Sequence, residues 1–437
     1  MAKIRPQSYS VLLTPLVAKD TYGDEIDITE DVEITDYVKD KGISSILREV
    51  DNGDFDFGVF VFNSINLTCV NFDGKFSIET DSRSMFKYSR DKAKVKIHFY
   101  DGESNTPAIS WQGLIDDRAT KQDFNKDEVK FTLLSQDSIL NRLKYLSGSV
   151  PEGSSIYTAI IRILNRPEIT SVLDFQEINI NVARDYVIDD VSIFEDMILK
   201  DILDGFMVLT NSILYIDRDS KIIVRDRNHN SENIFELFGE GDLLGRQNII
   251  AITEYNTGLQ RTFNTVTFGE QSATNKNYAD TYGDNKKDID YNYITNEITR
   301  ASICRDLVDH FKMPKIELVV TCKTSEVRDL GFFDLVSVDY PYRRKPFEGQ
   351  KLPKYGEAIY GQAKYPYIAG SLKISPDMAF KIIGIEEDPQ TFHTKLKLRQ
   401  VGTTFTDGWV STMTPNELPA RYGFAIYGLN KYTEDGL

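Results

Sequence analysis

Residues able to do chemistry are few in this chain and poorly spaced for it. The four histidines, His98, His229, His310 and His393, and the three cysteines, Cys69, Cys304 and Cys322, lie far apart. None has metal-ligand spacing, so the cysteines read as buried thiols. Asp51 to Asp56, DNGDFD, starts like a calcium loop. It lacks the glycine at the sixth position and the glutamate at the twelfth, and Asn52-Gly53 reads instead as a hairpin turn. Asn71-Phe72-Asp73-Gly74 has a single carboxylate and is also a turn. Asp116-Asp117 and Glu386-Glu387 supply paired acids of the kind that glycoside hydrolysis uses. Neighbours in a strand point to opposite faces, so neither pair converges, and both read as solvated edge charge. Arg343-Arg344-Lys345, set among tyrosines, offers a surface for acidic protein or single-stranded nucleic acid. In an acidic chain it reads as a protein-docking loop. No nucleophile elbow, zinc-protease, phosphate-loop or dinucleotide motif is present. The expectation is a protein with no catalytic residues, no cofactor and no metal.

The positioning elements must come from a chain of 437 residues with a net charge of −16, long enough for two to four domains. No apolar run approaches a membrane span, and the N-terminus lacks the apolar core and cleavage site of a signal peptide. Folding in a cytoplasm is expected. The negative charge serves solubility, or keeps a surface from binding phosphate.

Residues 1–146 read as a β domain. Strands are expected at Ser10 to Val17, within Glu25 to Val38, after the Asn52-Gly53 turn into which a short run, Ile43 to Val50, leads, and at Leu67 to Val70, Phe76 to Glu79, Lys94 to Tyr100, Ile109 to Ile115 and Glu128 to Leu134. Ser138 to Leu146 closes it as a short helix. Residues 147–245 read as a mixed α/β domain, with a helix at Ile156 to Leu164 capped by Ser154-Ser155 and ended by Pro167. Its clearest unit is Val191 to Asn228. Ser192 and Glu195 have capping-box spacing, an apolar helix face follows, and Gly205 stops it. Short strands are then expected at Phe206 to Leu209, Ile213 to Ile216 and Ile222 to Val224, with Asp217, Arg218, Asp219, Arg225 and Arg227 exposed for subunit contacts. Residues 246–402 return to β structure. They contain a polar loop, 272–291, and a helix after Thr295-Asn296 whose apolar face is Ile298, Ala301, Cys304, Val308 and Phe311. A Tyr/Pro/Gly-rich insertion, 340–371, follows, and residues 403–437 form a Gly/aromatic docking tail.

The insertion and the tail share a repeat. Gly356 to Tyr365 (GEAIYGQAKY) and Gly423 to Tyr432 (GFAIYGLNKY) follow one pattern, G-x-A-I-Y-G-x-x-K-Y. Tyrosine gives rigid contact area and glycine allows close backbone approach, so both copies read as partner-docking segments. Ile359, Tyr360, Tyr365, Ile426, Tyr427 and Tyr432 are the candidate docking residues. Deleting either copy is expected to weaken assembly and leave the chain folded.

This order of parts resembles the baseplate hub, or tail-tip hub, proteins of tailed bacteriophages and related contractile injection systems. The resemblance is carried by Trp111 to Asp116 with Val129 to Leu134 and Asp137 to Leu140, by the helix and meander ending in YIDRDSKIIVRDRN, and by Phe332 to Val338 with Phe380 to Val401. It covers most of residues 1–402. It implies a β-dominated α+β chain with two tail-tube-like β-barrel or sandwich domains around a mixed α/β domain. It further implies a homotrimer whose six tube-like domains match a six-fold tail tube to a three-fold tip, in a virion tail tip. Partners would be the tail tube or distal tail protein and tip or fibre proteins, with DNA crossing the lumen unbound. Two alternatives stand beside it. An extracellular carbohydrate-binding or carbohydrate-degrading β protein is opposed by the missing signal peptide and by only two tryptophans. A receptor-binding adaptor of the same tail differs only in position.

Overall fold

The computed structural model describes residues 8–15, 31–49, 63–77, 85–86, 91, 93–100, 107–170, 179–181, 184–216, 222–227, 234–239, 248–256, 262–312, 315–339 and 379–401. It is a β-dominated α+β fold built on two curled half-barrel sheets.

The first sheet forms from β1 (Ser8–Thr14), β2 (Val32–Glu33), β3 (Val38–Ile43), β5 (Ser64–Val70), β6 (Lys94–Tyr100), β7 (Ile109–Asp123) and β8 (Glu128–Ser135), in the order β2-β1-β6-β7-β8-β5-β3. Strict alternation in β6 and β8 buries Val95, Ile97 and Phe99 and then Val129, Phe131 and Leu133 on one face. Trp111 closes this core over Gly113, where a Cβ would sit 2.0 Å from the indole. Phe76 is not in a strand: it is buried in a turn in which Asn71 accepts its amide proton at 2.8 Å. Within Glu25 to Val38 the described strand is only two residues long, followed by a 3-10 turn, Thr35–Tyr37. The closing helix is likewise a 3-10 turn, Gln136–Asn141, buried through Leu140.

Between β3 and β5 stands β4 (Ile46–Glu49), which leaves the first sheet and pairs with the second.

The middle core gathers α1 (Ile156–Leu164), α2 (Pro167–Thr170), α3 (Leu199–Leu209), and the small sheet β9 (Asn179–Asn181), β10 (Ser212–Ile216) and β11 (Ile222–Asp226). Ser155 caps α1 by accepting the amide of Thr158 at 3.2 Å. Pro167 begins α2, where its missing N–H costs nothing. The expected capping box at Ser192 does not form. The Ser192 hydroxyl donates to Asp190 at 2.6 Å, Ser192–Phe194 is a 3-10 turn, and α3 starts only at Leu199. Gly205 lies inside α3 because the Tyr293 ring packs there: a Cβ would stand 2.4 Å from Cε2. Phe206 to Leu209 therefore continue the helix, and Asn211, at φ 49°, turns the chain after it. Arg227 is buried, not exposed, with Nε donating to the Ser212 carbonyl at 3.3 Å. Arg225 reaches the carbonyl of Phe332 at 3.5 Å.

The second sheet is β12 (Ile234–Phe238), β13 (Ile249–Asn256), β17 (Glu317–Lys323), β18 (Leu335–Asp339), β19 (Ala379–Asp388) and β20 (His393–Gln400), in the order β12-β18-β19-β20-β17-β13. The short helix α6 (Thr324–Val327) follows β17. Residues expected as one polar loop, 272–291, are instead structured. They form most of β15 (Gln271–Thr274), α4 (Lys276–Tyr282) and β16 (Lys286–Ile289), around β14 (Thr265–Phe268). Helix α5 (Glu297–Phe311) begins at Asn296, which accepts the Thr299 amide at 3.0 Å. Its buried face is Ile303, Cys304, Leu307, Val308 and Phe311, while Ile298 is 82% exposed. Strand β14 and α5 pack into the middle core, so the elements between 246 and 402 divide between two cores.

Candidate functional site

The site expectations fall on Ile359, Tyr360, Tyr365, Ile426, Tyr427 and Tyr432, all outside the described residues. So are Asp51 to Asp56, Arg343 to Lys345 and Asp217 to Asp219. What the structure places is the ground from which the two repeat-bearing segments leave. The register of the second sheet puts three chain exits at one end. Strand β18 stops at Asp339, β19 resumes at Ala379, and β20 ends beside them, where the Val401 amide donates to the Ala379 carbonyl at 2.9 Å. The insertion therefore departs and returns on adjacent strands, and the tail departs from the strand next to them. Sequence reasoning found the repeat but not this shared anchorage, which depends on strand order.

That end is held firmly. The Gln400 amide donates to the Ile316 carbonyl at 2.8 Å, and the Gln400 side chain accepts from the Ile316 amide at 3.1 Å. Arg399 Nε meets Glu317 Oε1 at 2.8 Å across the β20–β17 pair, with both side chains largely buried. Behind it, Lys381 Nζ donates to the Arg227 carbonyl at 2.7 Å, tying β19 to the end of β11. Burial pushes the Lys381 ammonium down to about 8, against the pull of Asp226. His310, at the end of α5, lies edge-on to Phe311 with Lys315 Nζ 3.5 Å from its Nε2. Burial first, then Lys315, holds its pKa well below the ordinary histidine range. The ring is neutral at pH 7 and acts as packing.

The second notable place is the seam made by β4. Glu49 to Ile46 run antiparallel to Gly384 to Glu387, beyond the stretch of β19 that pairs with β18. Arg48 forms a buried ion pair with Glu387 and also donates to the Ser110 carbonyl on β7. Lys397 Nζ adds a contact to Glu49 Oε1 at 3.3 Å. One guanidinium thus joins both sheets. Glu387 is buried, not solvated edge charge, and its partner lies 339 residues away, beyond any local signal in the sequence. Asp116 is likewise engaged, with Arg142 at 3.3 Å, and Glu386 with Lys395 at 3.0 Å.

Chemistry is sparse among the described residues. Cys69, Cys304 and Cys322 are buried free thiols, pushed up by burial to about 12, 11 and 12. They are unreactive in that state. Among the described residues no group of three His, Cys, Asp or Glu side chains could hold a metal, and no helix is long and apolar enough to cross a membrane.

No family model and no curated protein matches the chain. Solved structures do match. The 43 kDa tail protein of prophage MuSo2 from Shewanella oneidensis aligns over 90% of this chain and 97% of its own, at 11% identity and TM-score 0.47. Prophage tail protein gp18 from Listeria monocytogenes EGD-e aligns over 92% and 97%, at 9% identity and TM-score 0.46. The tail protein from Neisseria meningitidis MC58 aligns over 90% of this chain and 96% of its own, at 11% identity and TM-score 0.53. The chain shares the fold of that Neisseria tail protein over nearly the whole of both, in keeping with the tail-hub resemblance of its sequence.

Proposed function

We propose that the chain is a structural protein of a phage tail tip, a baseplate hub that assembles as a trimeric ring and has no catalytic role. The observation that carries this is the pairing of two curled half-barrel sheets in one chain, joined by β4 and by Arg48. A strand lying in sequence between two first-sheet strands pairs with β19 of the second sheet, and its Arg48 reaches β7 of the first, which ties the two sheets as a ring of paired sheets requires. Three such chains present six sheets to a six-fold tube above and three equivalent chains to a tip below. The net charge of −16 suits a conduit that DNA crosses without sticking. Residues of the two repeats, Ile359, Tyr360, Tyr365, Ile426, Tyr427 and Tyr432, dock on neighbouring subunits. The partners are further copies of the chain, a tail tube or distal tail protein, and tip or fibre proteins.

A density map of the virion tail tip tests this. The expected result is three copies around the tail axis, each contributing two sheets to one ring with an acidic lumen. Six copies, a position outside the ring, or a lumen lined by Lys and Arg overturns it.

A further inference from the structure

The three most exposed large apolar side chains among the described residues are Ile298, Phe124 and Phe72. The last two, 79% and 72% exposed, share one end of the first sheet. Phe124 tops the hairpin between β7 and β8, and Phe72 lies two residues past β5. Their turns are tied together. The Asn71 amide donates to the Asp127 carbonyl at 2.6 Å, and Gln122 Nε2 donates to Ser77 Oγ at 3.1 Å. Only β8 stands between β5 and β7, so the two turns are about 10 Å apart. Phe72 is also braced from below. It stacks on Tyr37 at 6.4 Å, Tyr37 meets Phe76 edge-on at 5.3 Å, and Phe76 meets the buried Phe131 at 5.7 Å. The Tyr37 hydroxyl donates to Asp73 at 3.0 Å. An aromatic side chain held this way loses little freedom when a partner covers it.

This tip is acidic. Its turns and the neighbour of Tyr37 carry Asp36, Asp73, Asp123 and Asp127 against Lys75 and Lys126. Lys75 already lies over the Tyr37 ring at 4.3 Å, and Lys126 Nζ is 3.7 Å from Asp123. Further down the hairpin Lys121 stands opposite Lys130, so the acidic character belongs to the tip itself. The complementary stretch of the chain is 340–378, between β18 and β19. It holds seven Lys and Arg against three Asp and Glu, a net +4 in a chain of −16, together with six tyrosines. Strand β4 runs antiparallel to β19 and, from Ser44 near Asn66 to Glu49 near Asn63, antiparallel to β5 as well. Strands β5 and β19 therefore point the same way, and Ala379, where the stretch returns, lies at the end away from the tip. That separation along the strands is roughly 30 Å. A loop of 39 residues fixed at both ends reaches up to about 65 Å, enough to cover it on a neighbouring copy.

We infer that the aromatic tip of the first sheet, Phe72 and Phe124 with their aspartates, is the docking site for the stretch 340–378 of a second copy of this chain. Both rings stand exposed in the single chain, and the neighbour supplies what covers them. Its lysines and arginines lie on the ring faces and pair with the aspartates, and its tyrosines supply apolar contact. The contact is heterologous, tip to insertion, and closes into a ring when repeated around an axis. The inference rests on the ring reading and names a contact that closes it.

The test uses the full chain with p-benzoylphenylalanine in place of Phe124, mixed with an equal amount of isotope-labelled chain without it. Photolysis and peptide mapping are expected to join position 124 to residues 340–378 of the labelled chain. Lys351→Glu, Lys354→Glu and Lys364→Glu together in the labelled chain turn the charge of that stretch negative. They are expected to lower the yield at least tenfold with an unchanged circular dichroism spectrum. Capture only within one chain, capture of another region, no capture, or a yield that the three substitutions leave unchanged overturns the inference. A particle map with a three-copy ring and no such cross-link leaves the hub reading standing and removes this interface. A map with the protein outside the ring removes the hub reading whatever the cross-link.

Discussion

Arg48 and Glu387 form a buried ion pair across a sequence gap of 339 residues. Arg48 belongs to a strand flanked in sequence by first-sheet elements, and Glu387 to the second sheet, so the pair lies on the seam between the two. Removing one partner leaves a charge in a site from which water is excluded, whereas removing both does not.

Arg48→Met is therefore expected to destabilise the chain by about 3–5 kcal/mol. The double variant Arg48→Met with Glu387→Met recovers most of that loss. Urea unfolding of the two variants and the parent checks it. Equal losses in the single and double variants would mean that the strand pairing, not the ion pair, holds the seam.

Gly205→Ala tests the packing of α3. In an exposed helix the change is favourable by about 0.5–1 kcal/mol. Here the new methyl meets Tyr293, which packs edge-to-face with Phe194 and Phe206 at 4.9 and 5.8 Å. A loss of about 1–3 kcal/mol is expected. Adding Tyr293→Leu to the same chain should relieve the clash, seen as a cost for Gly205→Ala smaller in that background than alone.

Asp137 supplies a pH dependence of unusual sign. It is buried in the 3-10 turn after β8, its Oδ1 has no hydrogen-bond partner among the described residues, and burial pushes its carboxyl up to about 7. The folded chain then holds this proton more tightly than the unfolded chain, whose Asp titrates near 3.9. Stability from this group falls as pH rises from about 4 to about 7 and is level above, a total of order 4 kcal/mol by the linkage relation. Asp137→Asn should flatten that slope and be the more stable form at pH 8. Denaturant midpoints from pH 4 to pH 8 read it directly.

Local signals in the sequence were reliable where the partner was local. Ser155 and Asn296 cap helices within three residues of themselves, and both caps form. Ser192 had the same spacing and failed, because the nearby carboxylate of Asp190 takes its hydroxyl. Gly205 looked like a helix stop because its constraint comes from Tyr293, far along the chain. The polar stretch 272–291 looked like a loop because β15 and β16 bury few of their side chains and are held mainly by backbone pairing with β14. The alternating strands β6 and β8 were legible throughout. The candidate docking residues were visible as a repeat, while their anchorage at one sheet end required the strand order.

The path of β4 bears on how the chain is made. Arg48 is synthesised 339 residues before Glu387. At about 5–20 residues per second, β4 waits roughly 17 to 70 seconds for the strand that completes it. During that interval the first sheet can close, yet one of its flanking segments stays without its pairing strand. A chain cut short before β19 never acquires that strand. The seam thus makes near-complete synthesis a condition of final docking, and leaves unfinished chains with an unpaired strand that chaperones or proteases can engage.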